Sequence, residues 1–204
     1  MDRAPPNKKP YHHGGLREAL VQAGIDILTE GGLSSFTLRE CARRAGVSHA
    51  APKNHFPTVE HLKAEIGARG FEQMQRELAA AADAAPSPSA EGRLLAMGAA
   101  YVRFATANPA AYQMMFRDQD SFERTPHYSA AAEAAWTQLE EAVAAVIGAE
   151  RPDVEARAAH AFALVHGFAS LIIDGRLPPG LGTDAVIAQS LASLPAALRG
   201  LGTA

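Results

Sequence analysis

Residues 36–62 read FTLRECARRAGVSHAAPKNHFPTVEHL, and the spacing within this stretch decides the fold class. Thr37 and Glu40 form a T-x-x-E capping box, in which the hydroxyl takes a free helix N–H and the carboxylate reaches back to the cap residue. A short helix therefore opens after Thr37 and closes at Gly46, a residue able to take the positive φ of a tight turn. Ala42 is small enough for two helices to cross closely, and Val47 plugs the space between them. Ser48 is placed to cap a third, still shorter helix, with Ala50 and Ala51 in its first turn and Phe56 packing at its end. Two short helices joined by a glycine turn outline a helix-turn-helix.

Outward from this stretch the chain remains helical. Upstream, Leu16, Ala19, Leu20, Ala23, Ile27 and Leu28 recur at three- and four-residue steps and stop at Gly31-Gly32. Downstream, Thr58 caps a long connecting helix that runs to the alanines at 79–82 and ends before APSPS (85–89). Further helices are expected from Ser87 or Ser89, from the Asn108-Pro109 cap, over 128–147 and from Asp153, with a polar loop at 117–126. A last helix follows a Thr183 cap, with Pro195 as a kink or early end. The expected fold is all-α with about nine helices. A three-helix head with its N-terminal arm occupies residues 1–62, and a helical bundle occupies 63–204.

Composition bounds the function. Residues 1–62 hold eight Lys and Arg against six Asp and Glu, whereas the remainder holds eleven against sixteen. A basic head on an acidic body suits a phosphate-binding module joined to something else. Cys41 is the only cysteine, so neither an intramolecular disulfide nor a thiolate metal cage is expected, and the reducing cytoplasm is the expected compartment. The N-terminus lacks the apolar core of a secretory signal, no run approaches the roughly 20 apolar residues of a membrane span, and no membrane partner is expected. The motifs E-x-x-H, H-E-x-x-H, G-x-S-x-G and the P-loop are absent, and Gly180-x-Gly182 follows Pro-Pro rather than a strand. No catalytic residue, metal or cofactor is therefore expected. A helical-bundle enzyme, or a helical dimer that binds small molecules or proteins but has lost DNA binding, remain the alternatives.

The stretch quoted above resembles the DNA-binding head of the tetracycline-repressor-like (TetR) family. The resemblance is carried by Thr37, Ala42, the turn Ala45-Gly46-Val47-Ser48, the pair His55-Phe56, and Glu60 with Leu62. It implies a homodimeric transcriptional regulator, usually a repressor, that grips a palindromic double-stranded operator and answers to a small apolar or aromatic effector. Position by position, it implies that Thr37 and Ser48 hold phosphates through hydroxyls and backbone N–H groups, and that His55 contacts a phosphate. Arg39, His49, Ala50, Lys53 and Asn54 would face base edges or nearby phosphates in the major groove. Two departures bear on affinity: Pro52-Lys53 replaces the usual Leu-Tyr, and Val59 stands where a phosphate-binding lysine is common. The arm NKKPYHHGGL (7–16) is similar to the entry sequence of one subgroup. Lys8 and Lys9 there would act as a basic arm, while His12-His13 lacks the fixed third ligand a metal needs.

For the remainder, the resemblance implies only a helical ligand-binding and dimerisation unit. Aromatic and methionine side chains with a few polar handles line typical apolar pockets. On that ground the candidates are Tyr101, Phe104, Tyr112 and Met115, together with Phe116, Trp136, Phe162 and His166. Val165-His166-Gly167 loosely resembles the Trp-His-Gly stretch of one subgroup's regulatory domain. The small residues Ala159, Ala163, Gly167 and Ser170 lie near one face of a very apolar helix, where a symmetry mate could approach closely.

Overall fold

Hydroxyl caps mark four of the helix starts, the expected Thr58 cap among them, its oxygen accepting from the His61 N–H at 3.4 Å. Thr37 accepts a hydrogen bond from the Glu40 N–H at 3.1 Å, Ser89 from Gly92 at 3.1 Å and Thr125 from Tyr128 at 3.3 Å. The structure is a computed structural model and describes residues 13–116, 125–182 and 184–200. Lys8, Lys9, His12, most of the expected loop at 117–126 and the Thr183 cap lie outside the described residues. Among the described residues all regular structure is helical, as the sequence implies. The α-helices are α1 (His13–Gly31), α2 (Leu38–Arg44), α3 (Val59–Asp83), α4 (Ala90–Ala107), α5 (Pro109–Phe116), α6 (Pro126–Ile147), α7 (Val154–Ile173), α8 (Asp184–Leu191) and α9 (Leu194–Gly200). Short 3-10 helices span Leu33–Ser35 and Ala51–Asn54.

The chain divides into two compact units, Met1–Lys63 and Ala64–Ala204. In the first, Leu20, Val21, Ile27, Phe36, Cys41 and Ala42 are buried. Burial pushes the Cys41 thiol up to about 11, with Glu40 adding to the shift, so the thiol stays neutral. α3 begins in this unit and continues into the second. There α4 packs on α6, α7 and α8, and α6 packs on α7 and α9.

Several local expectations are corrected. Asp153 makes no side-chain cap bond; its carboxylate instead takes Arg151 Nε at 3.0 Å and Nε of the buried Arg157 at 2.8 Å. Those two guanidiniums, Arg151 first, hold the Asp153 carboxyl well below its usual range. Asn108 turns backwards, its amide donating to the Phe104 carbonyl at 2.9 Å to close α4 rather than to open α5. The last helix is two helices. Pro195 has no N–H for the Leu191 carbonyl, so α8 ends at Leu191 and the proline sits in the first turn of α9, where none is needed. α7 is also long and apolar enough, by length and composition, to cross a membrane, contrary to the expectation that no run approaches that size. Its Arg157, Ala158, Ala161, Val165 and Ala169 are nevertheless buried within the helical unit.

His127, in the first turn of α6, links that helix to α3. Its Nδ1 lies 3.1 Å from Glu65 Oε2 and its Nε2 lies 2.9 Å from Glu72 Oε1, while Glu65 also accepts from Arg69 Nε at 2.9 Å. Glu72, then Glu65, raise the pKa of His127 above its ordinary value. A raised histidine pKa stabilises fully below the unfolded value of about 6.5 and loses that contribution as pH climbs through the folded value. His127→Gln is therefore expected to lower Tm at pH 5–6 and to leave it nearly unchanged at pH 9. The effect will be small, because the ring is 42% exposed. Thermal melts across that range check it.

Candidate nucleic-acid interface and ligand cavity

The turn after α2 is built as the sequence implies. Gly46 has φ 68°, its N–H donates to the Arg43 carbonyl at 3.2 Å, and the Val47 N–H donates to the Ala42 carbonyl at 3.0 Å. This is the Schellman arrangement, in which a left-handed residue satisfies the last helix carbonyls. A Cβ on Gly46 would meet nothing within 4 Å, so backbone angle rather than space requires glycine here. The capping box is only half formed. Thr37 caps as expected, but the Glu40 carboxylate is taken by Arg43 at 2.6 Å and Arg44 at 3.3 Å, which hold its pKa down to about 2.

The third helix of the head differs from expectation. It is a four-residue 3-10 helix whose N-cap is Ala50, and Ser48 makes no side-chain cap. Pro52 lacks the N–H that an α-helix would direct at the Ser48 carbonyl, so that carbonyl accepts from Ala51 at 3.0 Å instead. Ser48 therefore does not stand at a helix N-terminus, and the phosphate role expected there from free helix N–H groups loses its basis. Pro52 and Phe56 are buried and fix the segment from below. Ser48, His49, Ala50, Lys53 and Asn54 are exposed, and His55 is half-buried. Arg17, which sequence reasoning missed, lies 4.8 Å over the Phe56 ring.

Charge at this surface is distributed unevenly. Arg43 and Arg44 are neutralised by Glu40, and Arg44 also by Glu30 at 2.6 Å. Arg39 and Lys53 are exposed and make no ion pair with any described residue. Thr37 is exposed beside Arg39, and its hydroxyl proton stays available while its oxygen caps α2.

The second unit encloses a cavity of about 280 Å³. Of the expected pocket residues, Tyr101, Phe116, Trp136 and Phe162 line it, whereas Phe104, Tyr112, Met115 and His166 do not. Phe104 and Met115 are core, and Met115 packs against Gly70 of α3. Sequence reasoning missed Phe71, Met74 and Leu78, because α3 reads as a connector. It also missed Gly98, Ala132, Ala135 and Ala161, whose small size leaves the space empty. Among the described residues, no charged side chain lines the wall.

Tyr112 and His166 instead form a polar cluster that Tyr101 joins to the cavity. The Tyr101 hydroxyl lies 3.0 Å and the Tyr112 hydroxyl 2.9 Å from His166 Nδ1, and Tyr112 is 3.0 Å from Ser170 Oγ. Ser170 therefore faces inward rather than onto the helix face expected from its spacing. Burial, then Tyr112, pushes the Tyr101 pKa far above its ordinary value, so its proton is retained.

A family model described as the C-terminal domain of tetracyclin repressor-like proteins matches residues 94–194. Over 100 residues the chain is 24% identical to the uncharacterized HTH-type transcriptional regulator YobS of Bacillus subtilis strain 168. That match covers 49% of this chain and 51% of YobS, so the chain spans about half the length of this curated relative. A solved protein of unknown function from Rhodococcus sp. RHA1 is 31% identical with a TM-score of 0.82, over 94% of this chain and all of that one. A bacterial regulatory protein in the tetR family from Rhodococcus RHA1 is 25% identical with a TM-score of 0.62, covering 93% of this chain and 98% of its own. PfmR of Thermus thermophilus, a TetR family transcriptional regulator, shares the fold at 16% identity and a TM-score of 0.65, over 89% and 98% of the two chains.

Proposed function

The chain belongs to the tetracycline-repressor-like family of helix-turn-helix transcriptional regulators, and from that premise we propose that it is a dimeric repressor of a palindromic operator, released by a small apolar or aromatic effector. The observation that carries the DNA contact is the sorting of charge on the head. Arg39 and Lys53 are exposed and unneutralised, beside exposed His49 and Asn54, on a segment fixed by buried Pro52 and Phe56. In this reading Arg39, His49, Ala50 and Asn54 meet base edges or adjacent phosphates, and Thr37, Ser48, Lys53 and His55 meet phosphates through their side chains.

Each phosphate neutralised by a cation releases counterions and steepens the dependence of log affinity on log salt by about 0.9. Lys53→Ala is therefore expected to weaken binding to all duplexes alike and to flatten that slope by about one unit. Titration of duplex binding from 50 to 200 mM salt, where this term is large, reads the slope. An unchanged slope would remove Lys53 from the interface.

Dimerisation is assigned to the outer face of α7. Ala156, Ala159 and Ala163 are exposed there, Leu171 is 40% exposed, and a Cβ on Gly167 would meet nothing within 4 Å. Such a face lets a two-fold mate approach closely, and two heads about 34–36 Å apart then address successive major grooves. Effector control follows from α3, which contributes Phe71, Met74 and Leu78 to the cavity wall and begins within the head unit. An effector that binds one α3 position better than another shifts the population of head spacings. With one buried neutral thiol and no disulfide to form, the protein is assigned to the reducing cytoplasm.

A further inference from the structure

The segment that carries Lys53 and Asn54 is a single 3-10 turn, Ala51–Asn54, with no side-chain cap at its start. A turn this short holds no position by itself, because 3-10 hydrogen bonds are poorly aligned and few of them are made. What fixes it must come from its flanks. Pro52 is buried, and its carbonyl accepts from both the His55 and the Phe56 N–H, at 2.9 and 2.8 Å. The Phe56 ring, 2% exposed, is therefore the anchor on which the turn closes.

Arg17, in the second turn of α1, covers that ring, its guanidinium carbon 4.8 Å from the ring centroid. The residue is half-buried, and a cation over an aromatic face gains more as water is excluded. A planar guanidinium also stacks on the ring, which an ammonium does not. α1 is thus tied to the closing residue of the turn by a contact with direction as well as strength. We propose that Arg17 is a positioning residue for DNA recognition: it clamps Phe56, and through Phe56 it holds Lys53, Asn54 and His55 in register with the duplex without touching the duplex itself. This rests on those residues meeting DNA. Binding to any duplex comes mainly from phosphate charge and tolerates a small displacement, whereas base readout needs donors and acceptors in fixed geometry. Loss of the clamp therefore falls on specificity.

The test compares two probes on the full chain: the tightest-bound duplex recovered from a random pool, and a scrambled duplex of the same composition. Arg17→Met keeps an unbranched, helix-forming side chain but removes the cation. It is expected to lower the ratio of the two affinities by about three- to tenfold, the range of one partly desolvated cation–π contact, with the affinity for the scrambled duplex and the salt slope held at wild-type values. Arg17→Lys, which keeps the charge but not the plane, is expected to lie between the two. In a Phe56→Leu background Arg17→Met is expected to lower the ratio no further, because the ring through which it acts is gone. A wild-type ratio in Arg17→Met, or an equal loss in the Phe56→Leu background, overturns the positioning role. A salt slope flattened by about one unit also overturns it, by making Arg17 a phosphate contact. If far-ultraviolet dichroism shows that Arg17→Met does not fold, Arg17→Lys decides alone: an intermediate ratio supports the role and a wild-type ratio overturns it. A wild type that binds both duplexes alike overturns the underlying reading of sequence-specific DNA contact instead.

Discussion

Ala163→Glu is expected to convert the proposed dimer to a folded monomer and to lower operator affinity by about 10²–10⁴, the range lost when two linked binding events become independent. Ala163 is exposed on α7, so a carboxylate there leaves the core of its own protomer intact. Across a two-fold interface the same substitution sets two carboxylates near each other against an apolar surface, where neither finds a counter-charge. Ala161→Glu, one turn face away, would instead bury the charge at a position 2% exposed and unfold the unit. Sedimentation at micromolar concentration, with far-ultraviolet dichroism to confirm helix content, separates these cases. An Ala163→Glu protein that remains dimeric and binds operator as before would remove the α7 face from the interface.

Gly67→Ala is expected to destabilise the protein by about 1–3 kcal/mol, the usual cost of overpacking a core. In an open helix the same change would stabilise by up to about 1 kcal/mol, so the sign depends on the surroundings. A Cβ on Gly67 would lie 2.8 Å from the Met114 carbonyl oxygen and 2.9 Å from the Tyr128 ring. Neither can withdraw easily. The first is backbone, and the ring is held by the Tyr128 hydroxyl, which donates to the Met115 carbonyl at 2.8 Å. At roughly 2–4 °C per kcal/mol for a chain of this size, the loss is readable as a lower Tm in a thermal melt. A Tm equal to or above wild type would mean that α3 does not approach α5 and α6 this closely.

The features legible in the sequence were those decided within a few residues. Thr37 opens α2 and Gly46 closes it, because a cap and a positive φ depend on immediate neighbours. Where two local rules competed, the sequence alone did not say which would win. Glu40 and Asp153 are both suited to pair with a helix N-terminus, yet both carboxylates go to nearby guanidiniums, which offer charge as well as hydrogen bonds. Pro52 reduced an expected helix to a single 3-10 turn, and Pro195 split another in two, each by withholding one N–H.

The cavity was half legible for a different reason. Aromatic residues announce themselves as lining, and Tyr101, Phe116, Trp136 and Phe162 do line the cavity. Phe104, Tyr112 and His166 have the same chemistry but turn toward core or toward one another, which only the packing of α4, α5 and α7 determines. The cavity itself exists because Gly98, Ala132, Ala135 and Ala161 fail to fill it, and such residues carry no signal in a sequence already rich in alanine. Charge gave a similar lesson on the head. Arg39, Arg43 and Arg44 look equivalent in RECARR, and only the placement of Glu30 and Glu40 leaves Arg39 unneutralised.

The most direct test of the DNA-binding account is selection of bound fragments from a pool of random duplexes by the full-length wild-type protein at physiological salt. The account predicts enrichment of a palindrome whose half-site centres lie about 10–10.5 base pairs apart or a multiple of that, with protection of those half-sites lost in a variant lacking the Arg39 and Lys53 side chains. Recovery of duplexes that share no sequence, or of none above background, would contradict it.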